Sequence, residues 1–196
     1  MIDTYQALGA LLEYPENNWA ARFELTTRVD DYALREFATG AEGMTLTDLQ
    51  ELYARTFDLN PACALEVGYH LFGENYKRGE FLANLRETEA PFELGQAQQL
   101  PDYLPVLLRL LPKLDDLELR SSLITECLIP AIEKMLTTFK DAANPYRSLL
   151  ETFRIKLQGE PSAQPAALNR SAFHGMSLPV IQPARFAGSA SEHVLE

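Results

Sequence analysis

His70 and Cys63 are the side chains best placed to carry out nucleophilic chemistry in this 196-residue chain. The other two histidines, His174 and His193, lie near the C-terminus, so a catalytic triad would have to form around His70. Cys63 stands seven residues before it, and buried cysteines usually act as inert fillers of the core. The sequence contains no GxSxG, HExxH, GxGxxG or P-loop lysine motif. We therefore predict a protein that is not an enzyme.

Glu66, His70 and Glu74 offer a second kind of chemistry, because a spacing of four residues would align three metal ligands on one face of a long helix. Helical bundles that bind two metal ions use the spacing Glu-x-x-His, on each of two helices. The spacing here is four, and Gly73 is expected to end the helix before Glu74. Metal binding by these residues is an alternative hypothesis. The favoured role of His70 is a partly buried hydrogen bond that fixes the turn at Phe72-Gly73.

Composition indicates the scaffold that must position these residues. The chain has 32 Leu but only 11 Val and Ile together, and Leu favours helices whereas β-branched residues favour strands. Hydrophobic residues make up 46% of the chain, which predicts an ordinary globular core. The formal net charge of −11 disfavours binding to nucleic acids or to anionic membrane surfaces and favours a basic or apolar peptide as partner. We predict an all-α, single, compact bundle of about eight helices.

Helix start and stop signals divide the chain further. Residues 1–159 are predicted to form the helical domain, and residues 160–196, rich in Pro, Ala and Ser, a flexible tail. The predicted helices are Asp3–Glu13; Asn18–Thr39; one that begins with a capping box at Thr47 and Gln50; Ala62–Phe72; Tyr76–Glu89; one from about Leu104; one from Asp115 or Asp116 to Lys140 with a kink at Pro130; and one from Asn144-Pro145 to Leu157.

Aromatic and acidic residues at helix ends are the remaining candidates for a binding site. Phe57 and Phe72 are expected in the core, whereas Tyr53 and Tyr69 could line a groove, since a phenol tolerates a wet edge. The segment Leu100–Pro105 places Asp102 and Tyr103 between two prolines. Two interpretations stay open for Asp102: a helix cap, or a stiff surface corner that is available to a partner's cation.

Two blocks of sequence resemble a known family. LQELYARTFDLNPACALEVGYHLFGENYKRGEFLANL (Leu49–Leu85) and QLPDYLPVLLRLL (Gln99–Leu111) are similar to the nitrate reductase delta-subunit, or NarJ-type, assembly chaperones. These belong to the wider TorD-like redox-enzyme maturation proteins. The early LLEYP (Leu11–Pro15) also resembles the family, and the resemblance covers about the first 160 residues in organisation.

The resemblance implies an all-helical, cofactor-free chaperone connected with nitrate assimilation. Such a protein binds the N-terminal segment of a molybdenum-containing catalytic subunit in the cytoplasm and holds it for insertion of the molybdenum cofactor and for complex assembly. A groove between helices could take an amphipathic peptide helix by its apolar face. The residues predicted to bind this partner are Tyr53, Phe57, Asp58, Tyr69, His70, Arg78, Pro101, Asp102, Tyr103 and Leu104. Arg78 could instead pair with an acid inside the fold.

The remaining expectations concern location and assembly. The N-terminus lacks the basic region and long apolar run of a signal peptide, and no apolar run approaches the roughly 20 residues of a membrane span. We expect a cytoplasmic protein, a monomer or weak dimer, without direct membrane insertion. A stable structural subunit of the oxidoreductase complex is the other alternative to a transient chaperone.

Overall fold

The computed structural model describes residues 4–27, 32–95, 98–139 and 143–160. Within these ranges the chain forms nine helices and no strand, so the predicted all-α fold is confirmed. The helices are α1 (Thr4–Leu11), α2 (Trp19–Thr27), α3 (Tyr32–Ala41), α4 (Leu46–Tyr53, continued by the π-helical segment Ala54–Asp58), α5 (Val67–Phe72), α6 (Tyr76–Glu89), α7 (Leu104–Leu110, continued by the 3-10 segment Leu111–Lys113), α8 (Leu117–Ser122, the π-helical segment Leu123–Leu128 and Ile129–Thr138) and α9 (Pro145–Gln158). A 3-10 turn, Pro61–Cys63, precedes α5.

Helix α7 lies at the centre of the core, because every residue of Leu104–Leu110 except Arg109 is buried. Its N-terminal end packs closely against α1, where a Cβ atom at Gly9 would lie 3.4 Å from the Pro105 carbonyl oxygen. The ring of Tyr146 on α9 is also fully buried and contacts the rings of Phe37 and Phe57 at centroid distances of 5.3 and 4.9 Å. Leucine-rich helices and a central aromatic cluster thus form one continuous core.

Local signals place several helix ends correctly. Helix α6 has the predicted bounds, and α9 begins at Pro145 behind Asn144, whose side chain accepts a hydrogen bond from the Tyr146 N–H. Asp116 caps α8 by accepting hydrogen bonds from two backbone N–H groups of its first turn. Helix α8 remains helical through the predicted kink at Pro130, and its π-helical segment ends two residues before that proline.

The predicted helix Asn18–Thr39 is wrong as a single element. The rings of Trp19 on α2 and Phe37 on α3 lie 6.3 Å apart. A straight helix would separate residues 18 positions apart by about 27 Å. The two described helices therefore pack against each other, and residues 28–31 between them lie outside the described residues.

The capping box at the start of α4 lies two residues earlier than predicted. The Thr45 N–H donates to the Asp48 carboxylate (2.8 Å), and the Asp48 N–H donates to the Thr45 hydroxyl (3.2 Å). Gln50, the expected partner in the box, instead donates to the Pro15 carbonyl at 2.8 Å.

The predicted helix Ala62–Phe72 is shorter than expected, because Glu66 is extended and forms an isolated antiparallel bridge with Tyr103. The Val67 N–H donates to the Asp102 carbonyl, and the Leu104 N–H to the Leu65 carbonyl, each at 2.8 Å. This bridge joins the two sequence blocks that resemble the NarJ-type family.

No helix in the described ranges combines the length and hydropathy that crossing a lipid bilayer requires. Residues 161–196 of the predicted tail, which was expected to begin at residue 160, and the predicted helix end at Lys140 lie outside the described residues.

Candidate functional site

An open cleft of about 560 Å³ lies where the two sequence blocks meet. Its lining comes from the end of α4, from the segment that leads into α5, from Tyr69 on α5, from the turn before α6 and the start of α6, and from the segment before α7. Six of the ten residues predicted to bind a partner line it: Tyr53, Phe57, Asp58, Tyr69, Arg78 and Tyr103.

The floor of the cleft is aromatic. Phe57, Tyr53 and Tyr103 are buried, with exposed fractions of 2%, 4% and 8%. The centroids of the Tyr53 and Phe57 rings lie 5.0 Å apart. The Tyr53 and Tyr103 hydroxyl oxygens are 3.1 Å apart, and each lies within hydrogen-bonding distance of the Leu12 carbonyl, at 3.2 and 3.3 Å. Burial raises the pKa of Tyr103 to about 12 and that of Tyr53 further, so both phenols stay neutral at physiological pH. The floor is therefore a rigid, uncharged surface.

The rim of the cleft is acidic. Asp58, Glu66 and Glu74 line it, and none of the three forms an ion pair within the described residues. Burial raises the pKa of Asp58 and of Glu66 above the ordinary range. A carboxylate in this situation gains a partner when a cation enters the cleft. The rim can thus bind cations that a ligand supplies.

Asp102 lies behind the cleft wall instead of on it. Its side chain is 0% exposed and accepts hydrogen bonds from the Gly68 N–H (3.1 Å) and from Arg78 Nε and Nη2 (3.2 and 3.1 Å). A Cβ atom at position 68 would lie 2.7 Å from the Asp102 carboxylate, so this contact needs Gly68. Burial raises the pKa of Asp102, whereas Arg78 and the Gly68 N–H lower it. The predicted surface corner at Asp102 is therefore wrong, and the predicted pairing of Arg78 inside the fold is confirmed.

His70, Pro101 and Leu104 are likewise buried and do not line the cleft. His70 Nε2 donates to the Ala64 carbonyl at 2.6 Å, so the histidine fixes the chain before α5 and not the turn at Gly73. Burial lowers the pKa of His70, which favours the neutral imidazole. These three side chains therefore do not contribute to the surface of the cleft, and their contact with a partner stays a prediction.

Six cleft residues were not among the predicted binding residues: Pro61, Ala64, Leu65, Glu66, Glu74 and Leu100. Glu66 and Glu74 were considered only as metal ligands. Their position on either side of Tyr69, inside the block Leu49–Leu85 that resembles the NarJ-type family, is the sequence signal that could have identified them as cleft residues. Leu100 is 44% exposed beside the buried Pro101, and only the fold shows that it faces the cleft.

The arrangement that the metal hypothesis requires does not form. Glu66 precedes α5 in extended conformation, and Glu74 follows Gly73, so only His70 lies on the helix. Across the described ranges, no group of three or more His, Cys, Asp or Glu side chains is placed to hold a metal ion. Cys63 is fully buried, and burial raises its pKa to about 12, which disfavours a nucleophilic thiolate.

The sequence of the chain is similar to those of two curated proteins. No family model matches the chain. Over 115 residues the chain is 34% identical to the probable nitrate reductase molybdenum cofactor assembly chaperone NarJ of Bacillus subtilis (strain 168). The resemblance to the NarJ-type assembly chaperones is confirmed. This match covers 54% of the chain and 62% of the length of that NarJ protein.

A second NarJ-type relative matches over a longer range. The probable nitrate reductase molybdenum cofactor assembly chaperone NarW of Escherichia coli (strain K12) is 28% identical over 158 residues, which are 79% of this chain and 67% of NarW. Both NarJ-type relatives are named as chaperones and neither as an enzyme, in agreement with the prediction of a protein without catalytic activity.

Proposed function

We propose that this chain is an assembly chaperone for a molybdenum-containing, nitrate reductase-like oxidoreductase. It binds the N-terminal segment of the catalytic subunit in the cleft and holds that subunit for cofactor insertion. The names of the NarJ and NarW relatives support the chaperone role and the class of client. The single structural observation that carries the proposal is the cleft itself, with its aromatic floor and with rim carboxylates that have no ion pair in the part of the chain that the structure describes.

The shape of the cleft favours a peptide over a small molecule. It is open, and the large apolar side chain of Leu100 in its lining is 44% exposed. Leu59, which follows the lining residue Asp58 in the sequence, is 79% exposed. An amphipathic helix can place apolar side chains over such a floor and direct basic side chains to the rim. The rim carboxylates Asp58, Glu66 and Glu74 define where those basic side chains bind.

Peptide titration tests the proposal. The probe is a synthetic peptide of the first ~20 residues of the nitrate reductase catalytic subunit from the same genome, long enough for a helix of about 30 Å. Fluorescence anisotropy is expected to show micromolar or tighter binding. The absence of binding to a folded protein would refute the proposed function.

A matched pair of variants locates the site. Replacing Glu66 and Glu74 by Gln removes two rim charges and is expected to weaken binding. Replacing Glu126 and Glu133 by Gln removes two exposed charges from α8 outside the cleft and is expected to leave the affinity unchanged. Equal losses in the two double variants would show that only the overall negative charge matters.

A further inference from the structure

Arg78 and Asp102 form an ion pair in which Arg78 lines the cleft and Asp102 lies buried behind it. Arg78 lines the cleft with 21% of its side chain exposed, whereas the Asp102 side chain is 0% exposed. Two hydrogen bonds from the guanidinium to one carboxylate oxygen, at 3.2 and 3.1 Å, fix the orientation of Arg78. The guanidinium carbon also lies 5.9 Å from the centre of the Tyr69 ring. The Arg78 guanidinium is thus held by hydrogen bonds to Asp102 and by its contact with the Tyr69 ring.

Arg78 is the one cation among the side chains that line the cleft in the described part of the chain. It stands close enough to Glu66 to lower that carboxyl's pKa, against the larger effect of burial. Both side chains line the same cleft, so a guanidinium released from Asp102 can pair with a rim carboxylate there. Such a pair would occupy the group that a basic ligand needs.

From this geometry we infer that Asp102 is a positioning residue for ligand recognition. As a buried counter-ion, it holds Arg78 against the wall and leaves the rim carboxylates free for the basic side chains of the ligand. The inference rests on the proposed function. It assigns to Asp102 an effect on specificity that acts through Arg78, although Asp102 does not touch the ligand.

Loss of the Asp102 charge has a definite consequence in this arrangement. Asn at position 102 keeps an acceptor for the Gly68 N–H but no longer neutralises Arg78. Arg78 then adds one positive charge to the cleft and pairs with Glu66. An exposed ion pair is worth up to about 1 kcal/mol, so affinity for a basic peptide is expected to fall about fivefold.

The experiment compares D102N, R78Q and the double variant R78Q/D102N in fluorescence anisotropy, at a temperature at which circular dichroism shows each to be folded. The probe is the catalytic-subunit peptide described above, and the control is the same peptide with every Lys and Arg replaced by Gln. D102N is expected to weaken binding of the basic peptide about fivefold and to have little effect on the neutral one. The double variant is expected to bind the basic peptide more tightly than D102N does, because the unneutralised cation is gone.

The possible results distinguish failure of the inference about Asp102 from failure of the proposed function. If the double variant binds as weakly as D102N, Asp102 acts through the backbone at Gly68, and the inference is overturned while the proposed function stands. If D102N does not fold, equal affinity of R78Q and R78Q/D102N for the basic peptide still supports the inference, because Asp102 then has no Arg78 to act through. Weaker binding by the double variant than by R78Q refutes it. If the wild type fails to bind the peptide, the proposed function falls, and the inference falls with it.

Discussion

Among single residues, Glu89 on α6 shows how burial can move the titration of a carboxylate towards neutral pH. Its side chain has no exposed surface, and neither carboxylate oxygen has a hydrogen-bond partner within the described residues. Burial raises its pKa to about 7 against the effect of Arg86, and the Asp102 charge adds to the rise. The folded chain therefore binds a proton between pH 4.5 and about 7 that the unfolded chain releases.

Because the folded chain holds this proton, the free energy of unfolding is expected to fall as pH rises from about 4.5 to about 7. Glu89 contributes at most about 3 kcal/mol to this fall, and its contribution stays level at higher pH. Asp58, Glu66 and Asp102 also have raised pKa values and act in the same direction, so a variant must isolate Glu89. Urea unfolding of Glu89→Gln at about pH 5 and about pH 8 makes the comparison. The variant is expected to lose much of the wild-type pH dependence, and an unchanged slope would show that Glu89 is not the group responsible.

A second prediction separates the two aromatic roles in the cleft. Phe57 is 2% exposed and contacts the Tyr53 and Tyr146 rings, so Phe57→Ala is expected to lower the free energy of unfolding by about 3–5 kcal/mol. Tyr69 is only half-buried, so Tyr69→Ala is expected to cost much less stability but to weaken binding of the catalytic-subunit peptide. Urea unfolding and anisotropy measure the two quantities. A large loss of stability in Tyr69→Ala with unchanged peptide affinity would contradict the assignment.

At the scale of elements, the turn between α5 and α6 depends on one glycine. Gly73 has φ +61° and ψ −138°, a conformation that residues with a Cβ atom rarely adopt. Gly79 lies inside α6, where Ala is preferred over Gly. In both positions a Cβ atom would meet no other atom within 4 Å, so backbone conformation alone distinguishes them.

The expected effects of Ala at these two positions have opposite signs. Gly73→Ala is expected to lower the free energy of unfolding by about 1–3 kcal/mol because of backbone strain. Gly79→Ala is expected to raise it by about 0.5–1 kcal/mol through helix propensity. Thermal or urea unfolding of both variants under one buffer condition gives the comparison. Equal effects of the same sign would show that the turn does not impose the strained conformation.

The elements also show what could be predicted from the sequence and what could not. The starts of α6 and α9 follow from Asn caps and from a proline at the first position of α9, signals that act within a few residues. The extended conformation of Glu66 depends on pairing with Tyr103, which lies 37 positions later and is invisible to local patterns. The same bridge buries Asp102, so the surface location predicted for that acid failed for the same reason. Tyr53 and Tyr69 were predicted as groove residues because a phenol suits a partly wet edge, and both line the cleft.

At the scale of the whole molecule, charge and cleft act together. The chain carries a formal net charge of −11, and the cleft adds carboxylates that form no ion pair with any of the described residues. Overall charge speeds the approach of a basic segment, whereas the rim carboxylates and the aromatic floor determine where it binds. In this account the buried pair of Arg78 and Asp102 keeps the cleft negative.

The central claim is that the cleft holds the N-terminal segment of the catalytic subunit, and site-specific cross-linking in cells tests it most directly. A photoreactive phenylalanine analogue replaces Tyr69 in the cleft, or Ile155, which is 60% exposed on α9 and outside the cleft, in cells that produce the full-length catalytic subunit. Position 69 is expected to cross-link to the N-terminal segment of that subunit, and position 155 is not. Cross-links from position 155 alone, or from position 69 only to other parts of the subunit, would contradict the central claim.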